Sequence, residues 1–465
     1  MHKYSIRKKK SDEEKHVEKK ENKDRFAHVE ISDEFAAALD ILENRRDHIF
    51  LTGKAGTGKS TLLEYWRART GQNIAVLAPT GVAALNVRGQ TIHSFFGFRP
   101  GVTPADVRKK TKGDGSQTLY GKLDAIVIDE ISMVRADLLD CIDKFMRLNG
   151  RSKSAPFGGA RMIFLGDLYQ LPPVVTEDEK DLFTDFYSSP YFFSAKVMND
   201  RTLLGGDFAF KIIELNKIYR QKDESFINLL NKVRENSANE HDLKLLNARH
   251  DPEFIIPEED FFIYLTATNA LAAQINEARL KKLADKECVF KGKLSGEFED
   301  RVAPAEPILK IKVGAQVMMV NNDKEGRWVN GTIGKVVDIE GGIYGSKISV
   351  ELDDGNIVEV MPYTWNAYKY FLDRVKNKTE VETVGSFTQY PLKLAWAVTI
   401  HKAQGKTFQK AVLDIGWGTF AHGQLYVALS RCATLSGLVL KQPLLKRHII
   451  TDPVVKEFMN QQVNL

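Results

Sequence analysis

The sequence predicts an α/β protein whose strands form parallel sheets in two halves of the chain. Short apolar runs that are typical of buried strands alternate with helical segments in both halves. A glycine-rich loop at residues 53–60 follows one such strand and opens a helix. Residues 308–363 instead alternate β-branched and polar residues between turns such as Asn330-Gly331, and this pattern predicts about five short strands inserted into the second half.

Composition bounds the class of protein. The 465 residues suggest about two to four domains, and a hydrophobic content of 43% is ordinary for a globular chain. The net charge of +5, from 66 basic and 61 acidic residues, is too small to indicate nucleic-acid binding by itself. Cys141, Cys288 and Cys432 are far apart and form neither a metal-binding spacing nor a disulfide framework, which favours a reducing compartment.

The N-terminal segment predicts a disordered charged tail. Residues 1–30 contain ten Lys or Arg and seven Asp or Glu with few apolar residues. Within them, Arg7-Lys8-Lys9-Lys10 fits a nuclear signal or a phosphate-binding arm as well as a solvated tail. No signal peptide and no bilayer-spanning apolar run are visible, so we expect a soluble intracellular protein with no membrane partner.

The loop at residues 53–60 fits the pattern G-x-x-x-x-G-K-[ST] of a phosphate-binding P-loop. The run His48–Thr52 predicts the strand that enters it, and the glycines allow backbone N–H groups to surround a polyphosphate at a helix N-terminus. Lys59 is expected to reach the β- and γ-phosphates, and the Ser60 hydroxyl to bind Mg²⁺. A turn that binds nothing is the alternative. The nucleotide-binding candidates here are Gly53, Ala55, Gly56, Thr57, Gly58, Lys59, Ser60 and Thr61.

Two carboxylates end a later buried strand, Leu123–Ile128. At the carboxyl edge of a parallel sheet, Asp129 and Glu130 would lie beside the P-loop. We expect Asp129 to hold Mg²⁺, directly or through water, and Glu130 to act as the general base toward the attacking water. A solvated strand end is the alternative.

A fourth strand, Arg161–Leu165, runs into Gly166-Asp167 and reaches Gln170 three residues later. This arrangement can present the Gln170 amide to a γ-phosphate, although a polar turn stopped by two prolines would have the same pattern.

A second α/β half is predicted to begin near Phe210 and to resume after the all-β insert at Pro391. On the insert, Lys324, Arg327 and Trp328 form a candidate nucleic-acid face, and a passive spacer is the alternative.

Taken in order, these segments resemble the motifs of superfamily 1 helicases, and most closely the Pif branch of 5′→3′ DNA helicases in group B. The similarity covers roughly residues 32–450, and residues 143–159 resemble that branch's own helix and loop. A P-loop is shared by many ATPases, whereas the ordered series is specific. The matching segments are Val127–Ser132, Gly166–Val174, Tyr219–Gln221, Thr399–Thr407 and Tyr426–Arg431.

The resemblance implies two RecA-like domains that bind ATP between them, a wedge that splits duplex DNA, and a small β-barrel. The corresponding boundaries are 31–205 for the first domain, with the wedge at 97–121, then 206–307 and 391–465 for the second domain, and 308–390 for the barrel. The stretch 364–390 has no clear counterpart in the family pattern.

The resemblance also assigns roles by position. Arg220 and Arg431 would be arginine fingers from the second domain, and Gln170 and Gly405 would contact the γ-phosphate, beside the catalytic candidates Lys59 and Glu130. For His93 and Phe95, core packing is the alternative to DNA contact. Residues that match single-stranded DNA contacts are Thr80, Gly81, His93, Phe95, Thr399, His401 and Lys402.

The implied activity is ATP- and Mg²⁺-dependent 5′→3′ translocation on single-stranded DNA with unwinding of tailed or forked duplexes, in replication, repair, recombination or telomere maintenance. The direction depends on the resemblance alone, and preference for G-quadruplexes is left open. A P-loop switch or protein remodeller that unwinds nothing is the alternative function. Phe35 stands where the family often has a Gln that contacts adenine, so selectivity among nucleotides is open.

Nothing in the sequence requires more than a monomer. The expected location is the cytoplasm and nucleoid in a bacterium, or the nucleus or mitochondrion in a eukaryote.

Overall fold

The computed structural model describes most of the chain from Ile31 onward. The predicted tail at 1–30 and part of the predicted wedge lie outside the described residues. The described ranges are 31–99, 101–110, 119–175, 179, 183, 185–199, 210–219, 223–257, 260–298, 303–341, 347–373, 376, 378–416, 418–419 and 421–463.

The first half is built on a six-stranded parallel sheet with the order β3-β2-β4-β5-β1-β6. The apolar runs of the sequence form its central strands, which are buried on both faces as a parallel sheet requires. The strands are β1 (His48–Gly53), β2 (Ile74–Ala78), β3 (Gln90–Thr91), β4 (Ala125–Ile128), β5 (Arg161–Leu165) and β6 (Phe210–Leu215).

Helices cover both faces of this sheet. Alternate strand residues point to opposite sides, so that Leu51 packs with α1 and α2 whereas Phe50 packs with α4 and α5. Asp143 of α5 accepts a hydrogen bond from Phe157 N at 2.6 Å, which fastens the predicted loop at 156–159 to the helix. The helices are α1 (Asp33–Asn44), α2 (Lys59–Arg67), α3 (Gly81–Asn86), α4 (Ile92–Phe96) and α5 (Ala136–Asn149).

The predicted start of the second half near Phe210 is wrong. Strand β6 pairs with β1 along its whole length, from His48 opposite Phe210 to Gly53 opposite Leu215. The apolar pattern identifies a strand but not the sheet that it joins, and the chain leaves the first sheet only after Leu215.

The second half contains a four-stranded parallel sheet with the order β18-β7-β19-β20. Its strands are β7 (Phe262–Thr266), β18 (Ala397–Thr399), β19 (Lys410–Asp414) and β20 (Leu438–Leu440). Its helices are α6 (Glu224–Arg234), α7 (Glu240–Asn247), α8 (Asn269–Lys282) and α9 (Gln424–Leu429). Both halves therefore have the parallel α/β architecture that the sequence predicts.

Between β7 and β18 the chain forms antiparallel sheets in the orders β10-β8, β14-β13-β12-β11-β17 and β15-β16-β9. The antiparallel pairing begins at Cys288, earlier than the predicted boundary at 308; closure into a barrel stays a prediction. The strands are β8 (Cys288–Lys291), β9 (Lys293–Gly296), β10 (Ile308–Ile311), β11 (Gln316–Met319), β12 (Ile333–Glu340), β13 (Lys347–Leu352), β14 (Ile357–Val360), β15 (Tyr363–Asp373), β16 (Lys378–Gln389) and β17 (Leu392–Leu394). We call residues 288–394 the insert.

Of the candidate nucleic-acid face on the insert, Lys324 and Arg327 are exposed, whereas the Trp328 ring is not available. Trp328 is buried in the core of the insert, and its indole N–H donates to Asn321 at 3.0 Å. Arg327 lies over the Trp328 ring and pairs with Asp323 at 2.8 Å. The aromatic surface and the guanidinium are therefore engaged within the insert.

The stretch that had no counterpart in sequence forms the long hairpin β15–β16, which reaches the first half. The Tyr370 hydroxyl accepts a hydrogen bond from Val76 N at 2.9 Å, and Tyr370 N donates to the Gln90 side chain at 3.2 Å. Thr379 N donates to Asn73 Oδ1 at 2.9 Å. Hydrogen bonds to β2, to β3 and to the residue before β2 thus fasten the hairpin to the first sheet.

The final helix, α10 (Pro453–Val463), also returns to the first half. Phe458 stacks on Phe193 with 4.1 Å between ring centroids, and Tyr191 donates to Asp452 at 3.0 Å. The hairpin that precedes β18 and the helix that follows β20 therefore both contact the first half. In the part of the chain that the structure describes, no helix has the length and apolar character needed to cross a membrane.

Candidate functional site

The P-loop between β1 and α2 has the conformation that a phosphate cradle needs. Gly53 has φ of +150°, and a Cβ there would lie 2.5 Å from the Leu215 carbonyl oxygen. Gly58 caps α2 with φ of +81°. The Lys59 ammonium donates to the carbonyls of Gly53 at 2.7 Å and Lys54 at 3.0 Å, so it lies across the loop. Burial lowers the Lys59 pKa, against the attraction of the nearby carboxylates.

Asp129 and Glu130 follow β4 at the same edge of the sheet, as the sequence predicts. Glu130 is in the left-handed region with φ of +52°, which is unfavourable for a residue with a side chain and is common at functional sites. Burial, and then the Glu130 charge, raise the Asp129 pKa to about 7. Burial also raises the Glu130 pKa, against the attraction of Lys59 and Arg431. A cation at this edge would offset the cost of two buried carboxylates.

Asp167 and Gln170 lie in the turn after β5. Gln170 is buried and its amide lies 3.4 Å from Asp167 Oδ2. Asp167 is fully buried and pairs with Arg234 of α6 in the second half, with 2.9 Å between Nη2 and Oδ1. Burial opposes ionisation of Asp167, yet Arg234 and Lys59 together hold its pKa below the usual value.

Gln404 connects the two halves at the predicted catalytic residues. From the loop after β18, its amide nitrogen donates to Glu130 Oε2 at 3.2 Å and to Gln170 Oε1 at 3.1 Å. One side chain of the second half therefore contacts both the predicted general base and the predicted γ-phosphate residue. Gly405, the next residue, has φ of +79° and is exposed, so its backbone can approach a ligand closely.

Helix α9 places a second group of side chains against the P-loop. The Tyr426 hydroxyl accepts a hydrogen bond from Ala55 N at 3.0 Å, and burial raises the Tyr426 pKa to about 12. At the start of this helix, Gly423 has φ of +67°, and a Cβ there would lie 2.3 Å from the Tyr169 carbonyl oxygen. The second half thus fits closely against the first. We call this contact of Ala55, Glu130, Asp167 and Gln170 with Arg234, Gln404 and Tyr426 the seam.

Of the two predicted arginine fingers, Arg431 is buried at the end of α9 with 1% exposure. It donates to the Val427 carbonyl at 2.9 Å and to the Lys406 carbonyl at 3.2 Å, and its charge acts on Glu130. Arg431 is therefore on the side of the second half that faces the P-loop carboxylates. Arg220 lies outside the described residues.

The predicted DNA contacts fall into two groups. Thr80 is exposed and caps α3, with its hydroxyl accepting from Ala83 N at 3.2 Å. Phe95 is 5% exposed and packs edge-on against Tyr370, so in this structure the core-packing alternative applies to it. The Thr399 hydroxyl is likewise buried, where it accepts from Lys402 N. Residues of this set with exposed or half-exposed side chains or backbone are Thr80, Gly81, His93, His401 and Lys402.

Around the nucleotide loop, Ser60 and Thr61 are exposed at the start of α2, whereas Thr57 is buried and its hydroxyl donates to the Lys54 carbonyl at 3.0 Å. Phe35 is also buried, with its ring edge-on to Tyr65 at 5.8 Å between centroids. The Phe35 side chain is therefore part of the helix packing and offers no hydrogen bond to a base.

Five residues in or beside the seam were not predicted as site residues: Asp167, Arg234, Gln404, Gly423 and Tyr426. Gln404, Gly423 and Tyr426 lie in or beside segments that the resemblance matches. The signal in the sequence that could have identified Gln404 is its place next to the loop glycine Gly405. Arg234 ends an amphipathic helix, and its position alone indicates a solvated helix end. Its burial depends on the contact with Asp167 of the first half, which no local pattern encodes.

Comparison with known proteins places these features in one family. A family model described as PIF1-like helicase matches residues 31–244. The ATP-dependent DNA helicase Pif1 of Bdellovibrio bacteriovorus is 33% identical over 446 residues, which cover 93% of this chain and 92% of that protein. The structure of Bacteroides sp Pif1 in complex with ADP-AlF4 is similar with a TM-score of 0.85 and 36% identity, covering 94% of this chain and 98% of that one. The structure of Bacteroides Pif1 bound to ssDNA is similar with a TM-score of 0.65 and 37% identity, covering 94% of this chain and 98% of that one.

Proposed function

Because the chain belongs to the PIF1-like helicase family and is an ATP-dependent DNA helicase, we propose that it moves 5′→3′ on single-stranded DNA and unwinds the duplex ahead of it. ATP closes the seam and hydrolysis reopens it, so that the two halves alternate their grip on the strand. Tailed and forked duplexes are its substrates, in replication, repair, recombination or telomere maintenance.

The contact of Gln404 supports this proposal most directly. Its amide spans from the second half to Glu130 and Gln170 of the first, at 3.2 and 3.1 Å. The same loop carries His401 and Lys402, which are exposed. A change at the phosphate end of the seam is therefore transmitted through one short loop to residues that can hold DNA.

Each residue of the site has its own role in ATP hydrolysis. Lys59 neutralises charge on the β- and γ-phosphates, Glu130 accepts the proton of the attacking water, and Gln170 and Gly405 contact the γ-phosphate. Arg431, with Arg220, stabilises the charge that develops on the transferred group.

Mg²⁺ fits the donor atoms at this edge of the sheet. Asp129 supplies a carboxylate and Ser60 an exposed hydroxyl, and both are the oxygen ligands that Mg²⁺ prefers. The raised pKa of Asp129, about 7, reflects a buried acidic pair that a divalent cation would stabilise in its ionised form. When bound there, the ion would neutralise phosphate charge and orient the nucleotide.

Strand displacement on two tailed duplexes tests the proposal. With ATP and Mg²⁺, we expect unwinding of a duplex with a 5′ single-stranded tail and little unwinding of the matched 3′-tailed duplex. Glu130→Gln should still bind ATP and DNA but should fail to unwind either substrate. Equal unwinding from both tails would contradict the direction, and full activity of Glu130→Gln would contradict the assigned base.

The alternative, a P-loop switch that unwinds nothing, predicts ATP hydrolysis that single-stranded DNA does not stimulate.

We further propose that the protein works as a monomer, accepts G-quadruplex DNA as well as forks, and is found where the DNA is: the nucleoid of a bacterium, or the nucleus or mitochondrion of a eukaryote. Light scattering at the enzyme concentration that unwinds DNA tests the first point.

A further inference from the structure

Three lysines come together where the second half meets the insert. Lys393 lies on β17, in register with Met318 of β11, and Lys402 and Lys406 lie in the loop after β18. The Lys406 ammonium donates to the Asn330 side chain in the turn before β12. The cluster therefore lies where β17, the loop after β18 and the turn before β12 meet.

This cluster holds an excess of positive charge. Within the described ranges, none of the three lysines forms an ion pair, and Glu306 is the acidic group whose charge acts on Lys393. Burial, and then Lys402, lower the Lys393 pKa. Burial, and then Lys393, lower the Lys406 pKa to about 8. Half-buried cations that repel each other are unfavourable in the free protein, and a bound anion would remove that cost.

The cluster is also connected to the seam. Arg431 donates from Nη1 to the Lys406 carbonyl at 3.2 Å and lies near the Ala403 carbonyl at 3.5 Å. The same loop carries Gln404, which contacts Glu130. An anion held by this loop would therefore be affected by any movement of Arg431 or Gln404 during the nucleotide cycle.

We propose that Lys393 and Lys406 form a phosphate-binding site for single-stranded DNA, which extends the contact expected at Lys402 across the boundary to the insert. The inference rests on the proposed function. We call Lys393, Lys402 and Lys406 the strip. A polynucleotide is the proposed occupant because the strip includes Lys402, the exposed residue already expected to contact DNA, beside the half-buried Lys393 and Lys406. Since the nearby Trp328 is buried, the strip holds backbone phosphates and does not read base sequence.

The test measures how the affinity for a fluorescein-labelled oligothymidine depends on salt. The test variant is Lys393→Gln with Lys406→Gln, and the control is Lys281→Gln with Lys347→Gln, which removes two exposed lysines that pair with Glu277 and Glu359. For single strands, each phosphate contact contributes about 0.7 to the slope of log affinity against log salt. The test variant should lose about 1.4 of that slope, whereas the control should retain the wild-type value.

Three further measurements distinguish a strip for DNA phosphates from a site for one small anion and from a loss of folding. Arginine at both positions should restore the wild-type slope if charge is what matters, and the thermal midpoint of each variant reports folding. Inorganic phosphate at millimolar concentration should compete only weakly, because a single anion spans one part of the strip. A test variant with an unchanged slope would overturn the inference, as would full competition by inorganic phosphate. Failure of the wild-type protein to bind the oligonucleotide would instead overturn the proposed function.

Discussion

Arg234 of the second half forms a buried ion pair with Asp167 of the first, with 2.9 Å from Nη2 to Oδ1. The two side chains are 4% and 0% exposed, and the guanidinium lies 4.2 Å from the centroid of the Tyr169 ring. Asp167 also faces Lys59 of the P-loop, whose charge helps to keep the carboxylate ionised. The pair thus connects the nucleotide loop to α6 only when the two halves are in contact.

Loss of Arg234 should therefore be costly. Arg234→Met leaves a buried carboxylate without its partner, which typically destabilises a protein by about 3–5 kcal/mol. Asp167→Asn combined with Arg234→Met should recover part of that loss in a double-mutant cycle measured by urea unfolding. Lys281→Met, which breaks a solvent-exposed pair with Glu277, should leave the free energy of unfolding nearly unchanged. If Arg234→Met and Lys281→Met lower the free energy of unfolding equally, the buried ion pair has no special role in stability.

Gln404 should matter for turnover more than for stability. Gln404→Ala removes the hydrogen bonds to Glu130 and Gln170, and a bond to a charged group contributes about 1.5–3 kcal/mol. DNA-stimulated ATP hydrolysis should fall by about 10- to 150-fold if that energy is realised in the transition state. Gln409→Ala, an exposed glutamine shortly after the same loop, is the control and should retain wild-type turnover. Steady-state ATPase assays with and without oligothymidine decide the question.

Gly423 tests how closely the two halves must approach. Gly423→Ala places a Cβ 2.3 Å from the Tyr169 carbonyl oxygen, in addition to the strain of φ at +67°. Gly416 provides the matched control, since it has φ of +55° and open space around its Cβ position. Both variants should lose about 1 kcal/mol of folding free energy from backbone strain. Only Gly423→Ala should also lose DNA-stimulated ATP hydrolysis, by at least about tenfold, because closing the seam requires the contact. Similar ATPase rates in both variants would rule out a closed seam during hydrolysis.

Local patterns predicted the parts of the molecule that depend on neighbouring residues. The strand at Ile74–Ala78, the P-loop and the position of Asp129 at a strand end all follow from short apolar runs and glycine spacing. The contacts of Gln404 with Glu130 and of Tyr426 with Ala55 join residues 274 and 371 positions apart, and no local pattern encodes them. For the same reason, the strand at Phe210 was predicted but was placed in the wrong half.

The hairpin β15–β16 should contribute to stability through one hydroxyl group. Tyr370→Phe removes the acceptor for the buried Val76 N–H, and an unsatisfied buried donor costs about 1–3 kcal/mol. Tyr368→Phe, two residues earlier, is the control because its hydroxyl makes no hydrogen bond with the residues that the structure describes. Urea unfolding of the three proteins should show a loss for Tyr370→Phe alone. An equal effect of both substitutions would mean that the ring, and not the hydroxyl, fastens the hairpin.

His422 should make the contact between the halves sensitive to acid. Its Nε2 lies 2.7 Å from the Leu168 carbonyl, and its Nδ1 accepts from Asp452 N at 2.8 Å, so the bonded form is the neutral ring. Burial lowers the His422 pKa below 6.5, against that carbonyl and the charges of Asp452 and Asp167. Because the folded state favours the neutral ring, its contribution is complete above pH 6.5 and is lost as the pH falls toward the lowered pKa.

The free energy of unfolding of the wild-type protein should therefore decline below pH 6.5 more steeply than that of His422→Gln, which cannot take up this proton. His241→Gln replaces an exposed histidine and should follow the wild-type curve. Urea unfolding at a series of pH values from 8 to about 5 measures the difference in the free energy of unfolding between wild type and each variant. Groups that the proteins share contribute equally and cancel in this difference. If the curves of wild type and His422→Gln remain parallel below pH 6.5, protonation of His422 does not weaken the contact with Leu168.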